Sequence, residues 1–312
     1  RSIVTNNEWL RAGEDVFYFR PGVRYIFALL HIMFGDSSFA QKFLDAWSVI
    51  GIGLIIYLFL NKSKVKSNLI FIVVTVFFII FFGEKYRLLL GRGLSEFIGC
   101  FSIMLSLYLI YAQKLNYIFY FIFIIFLGII SAWIREEKIL VVLSLIFILM
   151  TNNQNKKYNL FIGSLIYFKE NLLTIFKYSF FIIIGFPVLF EIRNYIVGDG
   201  FTISSHPSVL KLNYLAVYNM LFGVEWPEIP RFTWILLLAS VLISFISIFN
   251  KSLNNLTNVP GIQIIILAVF LPTVGLEMPG YSPRHTIYLL PLSLILLTLI
   301  FNKIIIRNYT KN

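Results

Sequence analysis

Two adjacent carboxylates near the start of the chain are the residues whose types and spacing best suit chemistry. Glu14 and Asp15 are followed by Arg20, Arg24 and Tyr25. A carboxylate can act as a general base, and arginine is suited to two-point binding of phosphate or carboxylate. The Pro-Gly pair after Arg20 breaks a regular helix, and loops on a rigid scaffold often carry catalytic residues. The stretch is equally consistent with a solvated loop that leads into a membrane helix, so both interpretations stay open here.

The composition places these residues in a membrane protein. Of the 312 residues, 59% are hydrophobic, 18% aromatic and 13% charged, and the mean hydropathy is +0.84. A soluble protein of this length has far less apolar surface, so we expect a polytopic membrane protein. The single cysteine, Cys100, lies in an apolar run and is interpreted as a helix-packing residue. Because the chain opens on Arg1 rather than Met, we expect an N-terminal segment to precede it.

Apolar runs separated by polar turns predict an all-α transmembrane bundle with about nine spans. The run at 23–35 extends only about 20 Å as a helix, against a hydrocarbon core of about 30 Å, so it is predicted to lie along the membrane interface. The whole chain, 1–312, is treated as one domain, with outer loops at 1–38 and 198–230. The predicted spans cover 39–60, 69–82, 94–112, 117–134, 139–150, 178–197, 232–249, 262–276 and 285–302.

The charges of the connecting loops fall into two sets that differ in sign balance. One set holds twelve bases and a single acid, whereas the other holds fourteen bases and fourteen acids. By the positive-inside rule the first set is cytoplasmic, which places Glu14 and Asp15 outside. Eleven of the twelve inner bases are lysine, while ten of the fourteen outer bases are arginine. Topology therefore explains the net charge of +11, and no nucleic-acid partner is predicted.

Ionisable residues recur at the outer ends of the predicted spans, where they are costly unless paired or functional. Glu96 lies one turn inside the third span, where a favourable interaction with the helix dipole is the alternative to a functional role. The three histidines have no metal-ligand spacing, so no metal site is predicted, although an adjacent acid pair can bind a divalent ion and the cofactor stays unknown. The candidate substrate-binding residues are Arg20, Tyr25, Glu84, Arg87, Arg92, Glu96, Arg135, Arg284 and His285.

The order of these features resembles the GT-C glycosyltransferases, which include the protein O-mannosyltransferases and the lipid A aminoarabinose transferases. The resemblance begins with the acid pair, Arg20-Pro21, a short apolar helix and then a long span. Its further motifs are Gly93-Leu94-Ser95-Glu96 entering a span, Trp133-Ile134-Arg135-Glu136 leaving one, and Arg284-His285-Thr286-Ile287-Tyr288-Leu289-Leu290-Pro291-Leu292 opening the last span. The acid pair reads Glu-Asp where many relatives have Asp-Glu, which leaves open which carboxylate acts. The resemblance implies a further span in the segment that precedes Arg1.

This resemblance implies an enzyme of the bacterial inner membrane with its active site on the extracytoplasmic side. Its donor would be a sugar on polyprenyl phosphate, its acceptor is not specified, and membrane lipid would surround it. Asp15 or Glu14 would deprotonate the acceptor, the sugar would transfer with inversion, and Arg87, Arg92 or Arg284 would hold the lipid phosphate. One alternative is a lipid or polyanion transporter, and a non-catalytic assembly subunit is a second that stays open. Transporters usually place ionisable groups near mid-membrane, whereas here they cluster at the outer ends, which favours the enzyme.

Overall fold

The computed structural model describes residues 2–10, 22–35, 39–82, 96–112, 188–198, 231–250, 261–275 and 282–309, with a few positions between 141 and 180. This part of the chain is all-α, as predicted. Its helices are α1 (Ser2–Thr5), α2 (Gly22–Phe34), α3 (Phe39–Lys62), α4 (Ser67–Phe81), α5 (Glu96–Ala112), α6 (Leu189–Gly198), α7 (Arg231–Phe249), α8 (Ile262–Gly275) and α9 (Ser282–Tyr309).

The short helix predicted before the first span is α2. It packs Phe27 and Ala28 inward, and Ala28 forms a small cluster with Ile3 and Tyr25. It ends at Phe34 because Gly35 adopts φ +78°, a left-handed conformation that glycine reaches without a side-chain clash. Its opposite face leaves apolar side chains exposed, namely Leu29, Ile32 and Met33.

Helices α3 and α4 form an antiparallel hairpin whose turn is closed by a Schellman motif. The Val65 amide donates to the Leu60 carbonyl (3.1 Å) and the Lys64 amide donates to the Asn61 carbonyl (3.0 Å). Lys64 has φ +58°, at the position where glycine is usual. Val65 is buried beside the end of α3, which supplies the hydrophobic contact of the motif.

Helix α5 runs parallel to α3 along its whole length. Near the start, Gly51 faces the ring of Phe101, and near the end Phe59 stacks on Tyr111 with ring centroids 5.0 Å apart. At the final turn, Lys62 Nζ donates to the Ala112 carbonyl at 2.8 Å. A cation near the last carbonyls of a helix is favourable, so Lys62 ties the ends of both helices together.

Helix α9 lies at the centre of the described bundle and packs on α3, α4, α5, α7 and α8. It contains Pro291, which has no amide hydrogen for the carbonyl four residues earlier. That carbonyl belongs to Ile287, and the Cys100 thiol donates to it at 3.4 Å. Farther along, Ser293 shares a buried hydrogen bond with Ser240 of α7, with 2.6 Å between the hydroxyl oxygens. Cys100 is thus a packing residue that also supplies a donor to the Pro291 site.

Two described helices are long and apolar enough to cross a membrane, Gln41–Lys62 and Ile287–Ile306. Helix α3 is apolar on both sides, since it buries Ile52, Ile56 and Phe59 but exposes Ile50 and Leu54. A helix that is apolar all round is typical of a membrane span or a deeply buried core helix. The predicted spans at 117–134 and 139–150 lie outside the described residues, apart from Val141 and Ser144, whereas the span at 178–197 is described at 180 and from 188 onward, where helix α6 begins at Leu189.

Candidate functional site

The segment before the acid pair is held at its C-terminal end by two hydrogen bonds from different helices. The Tyr25 hydroxyl of α2 donates to the Trp9 carbonyl at 2.7 Å. Arg193 of α6 donates from Nε to the Leu10 carbonyl at 2.9 Å, across 183 residues of sequence. These two bonds therefore hold Trp9 and Leu10 in place just before the stretch that contains Glu14.

Arg193 is the most deeply buried base in the described part of the chain, with 6% of its surface exposed. Its Nη1 donates to the Asn194 side-chain carbonyl at 2.6 Å. Arg24 lies close enough for the two charges to interact. Burial of Arg24, and secondly the neighbouring positive charge of Arg193, lower the pKa of the Arg24 guanidinium. The guanidinium groups of Arg24 and Arg193 therefore meet at this junction.

Glu96 begins α5 with only 1% of its surface exposed. It sits one turn before Gly99 and Cys100, which pack on the first turns of α9. A Cβ built on Gly99 would lie 2.5 Å from the Tyr288 hydroxyl oxygen. The N-terminal ends of α5 and α9 are therefore adjacent, and the Glu96 carboxyl belongs to the same end of the bundle as the start of α9.

The axial alignment of α3 with α5 places a second carboxyl, that of Asp45, at about the same height as Glu96. Helices α3 and α5 are parallel, with Gly51 opposite Phe101. Measured from that contact toward the N-terminal ends of the helices, Asp45 lies about 9 Å away along the axis and Glu96 about 7.5 Å away. Asp45 is 2% exposed. Arg284 lies within one turn of the α5–α9 contact on the backbone of α9. The ends of α3, α5 and α9 thus combine two buried carboxyls with an arginine position.

The predicted site residues divide into three groups. Tyr25 and Glu96 are described: Tyr25 donates to the Trp9 carbonyl, and Glu96 is buried at the start of α5. The backbone positions of Arg284 and His285 are in the first turn of α9, at the same end of the bundle as Glu96. The remaining predicted residues lie outside the described part of the chain: Glu14, Asp15, Arg20, Glu84, Arg87, Arg92 and Arg135.

Two buried charged residues in these clusters, Arg193 and Asp45, are not among the site residues predicted from the sequence. Arg193 is one of the ten arginines counted among the outer bases, and Asp45 has no predicted role. The signal was present in both cases, because an ionisable residue within an apolar helix is costly unless it has a partner or a function. For Asp45, the position six residues into a long apolar run was the available clue.

The described residues form no group of three or more His, Cys, Asp or Glu side chains that could hold a metal ion. Asp45 and Glu96 together offer at most four carboxyl oxygens, which is fewer than the six to eight oxygens that calcium takes. Chemistry at this end of the bundle can draw on two carboxyl groups and on backbone amides at helix starts.

Comparison with protein families, curated proteins and solved structures found nothing that matches this chain. The function proposed below therefore depends on the residues and contacts of this chain and on the resemblance described above.

Proposed function

We propose that this chain is a multi-pass membrane glycosyltransferase that moves a sugar from a polyprenyl-phosphate donor to an acceptor on the extracytoplasmic face. The observation that supports it most directly is the position of the buried charges. Asp45 and Glu96 both lie in the first two turns of apolar helices, and not at their midpoints. A transporter that moves an ion or polyanion usually places such groups near mid-membrane.

The chemistry requires one base and a positively charged site for the leaving phosphate. Glu14 or Asp15 removes the proton of the acceptor hydroxyl, and the acceptor oxygen attacks the anomeric carbon. The bond from that carbon to the phosphate oxygen breaks, so the configuration inverts and the lipid phosphate leaves with the electron pair. Phosphate is a stable anion and needs charge stabilisation more than protonation. Arg87, Arg92 and Arg284 are the candidates for that stabilisation.

The buried Glu96 carboxyl fits a binding role in this scheme. Its helix starts beside the first turn of α9, which carries Arg284 and His285. A carboxylate at this level could accept hydrogen bonds from sugar hydroxyls. The proposed bundle has about nine spans in the bacterial inner membrane, with α2 at the interface.

The test uses membranes that contain the full-length protein and radiolabelled polyprenyl-phosphate sugars. Release of sugar from the lipid is compared between wild type and the Glu14→Gln/Asp15→Asn double variant. Glu8→Gln is the matched control, since it removes one carboxylate from the same segment. Loss of release in the double variant alone supports the proposal. Full release in the double variant would refute these carboxylates as the base, and no release from any donor, with lipid movement across the bilayer, would favour the transporter.

A further inference from the structure

Arg193 connects two parts of the chain that are far apart in sequence. Its Nε reaches the Leu10 carbonyl at 2.9 Å and its Nη1 reaches Asn194 at 2.6 Å. The rest of α6 gives no reason for a buried charge, because its neighbours Ile192 and Ile196 are 49% and 58% exposed. The helix therefore buries its one arginine toward the N-terminal segment while apolar side chains face outward.

We infer that Arg193 is a positioning residue, which fixes Leu10 and with it the origin of the segment that carries the acid pair. Glu14 follows Leu10 by four residues, a reach of at most about 14 Å. A second bond, from Tyr25 to the Trp9 carbonyl, holds the same segment against α2. One hydrogen bond leaves a segment free to rotate about it, whereas two bonds from different helices define its position. The effect on catalysis rests on the proposed function, but the anchoring role does not.

Arginine suits this role better than lysine. The planar guanidinium directs Nε to one acceptor and Nη1 to another at fixed angles, whereas an ammonium group is a single point on a flexible stem. Its hydrogen bonds are charge-assisted, which strengthens them. Arg193→Lys should therefore retain part of the anchoring and Arg193→Ala should lose it.

Cross-linking measures the anchoring without any enzyme assay. The full chain carries Leu10→Cys and Ile192→Cys and is treated in detergent with a short bismaleimide; the only native thiol, Cys100, is fully buried. Arg193→Ala is expected to slow cross-linking about tenfold, as loss of a hydrogen bond from a charged group predicts. Arg193→Lys should give an intermediate rate. Ile196→Ala, an exposed truncation on the same helix, should leave the rate unchanged.

The same substitutions are then assayed for sugar release in the background without added cysteines. Slower cross-linking, with a lower kcat, an unchanged KM for the donor and partial rescue by lysine, supports the inference. Slower cross-linking in a protein whose wild type releases no sugar would support the anchoring and refute the proposed function. An unchanged cross-linking rate in Arg193→Ala would overturn the inference whatever the activity. Slower cross-linking with unchanged kcat would overturn the positioning role.

Discussion

The contact between Gly99 and Tyr288 gives the sharpest prediction from the packing of the bundle. An alanine Cβ at position 99 would lie 2.5 Å from the Tyr288 hydroxyl oxygen and 3.3 Å from two ring carbons. Ordinary contacts of this kind need roughly an ångström more than the first distance. Tyr288 is 1% exposed, so the ring has little space into which it can move. We expect Gly99→Ala to destabilise the protein by about 1–3 kcal/mol, the usual cost of overpacking a core.

The hydroxyl oxygen of Tyr288 is the atom that clashes, so its removal should relieve the clash. Gly99→Ala/Tyr288→Phe is expected to recover much of the stability lost in Gly99→Ala alone, with Tyr288→Phe as the reference. The assay follows a thiol-reactive fluorophore during heating in detergent, because Cys100 is the only cysteine and is buried. Strictly additive effects of the two substitutions would refute the predicted contact, as would an unchanged midpoint in Gly99→Ala.

Two further predictions concern backbone groups. Lys64→Gly should stabilise the α3–α4 turn by about 0.5–1 kcal/mol, because Lys64 has φ +58°. Lys66→Gly is the control, since Lys66 has an ordinary φ of −59°. A lower unfolding temperature of Lys64→Gly than of wild type in a thermal scan would contradict the argument. Cys100→Ala should lower the free energy of unfolding by about 1 kcal/mol, because it removes the donor to the Ile287 carbonyl. In the Pro291→Ala background, where the helical amide returns, this loss should be smaller. Equal losses in both backgrounds, measured by unfolding followed with tryptophan fluorescence, would contradict the prediction.

The sequence predicted the helices better than their contacts. The span predicted at 39–60 is helix Phe39–Lys62, and the one predicted at 94–112 is Glu96–Ala112. These boundaries were accessible because polar turns and glycines interrupt long apolar runs. The rotation of each helix was not accessible, since a helix that is apolar on every side has no preferred buried face.

The site was predicted only in part for a related reason. Ionisable residues at span ends are visible in the sequence, which is why it predicts a role for Glu96. The bond from Arg193 to the Leu10 carbonyl spans 183 residues and ends on a backbone atom, which has no residue type. No pattern of side chains in the sequence indicates that acceptor. The sequence predicts Tyr25 as a substrate-binding residue, and the structure shows that its hydroxyl donates to the Trp9 carbonyl.

Contacts between glycines and aromatic rings set the axial alignment of the core helices, and with it the height of the buried carboxyls of Asp45 and Glu96. Gly51 faces Phe101, Gly53 faces Phe78 and Gly99 faces Tyr288, each with a built Cβ 2.5 Å from the aromatic side chain. A ring seated on a glycine fixes both the rotation and the axial register of two helices, because no neighbouring position offers the same space. The register of α3 against α5 places Asp45 level with Glu96, and that of α5 against α9 places Glu96 beside the first turn that carries Arg284. A substitution that displaces one of these rings should therefore alter the carboxyl end of the bundle as well as the stability of its core.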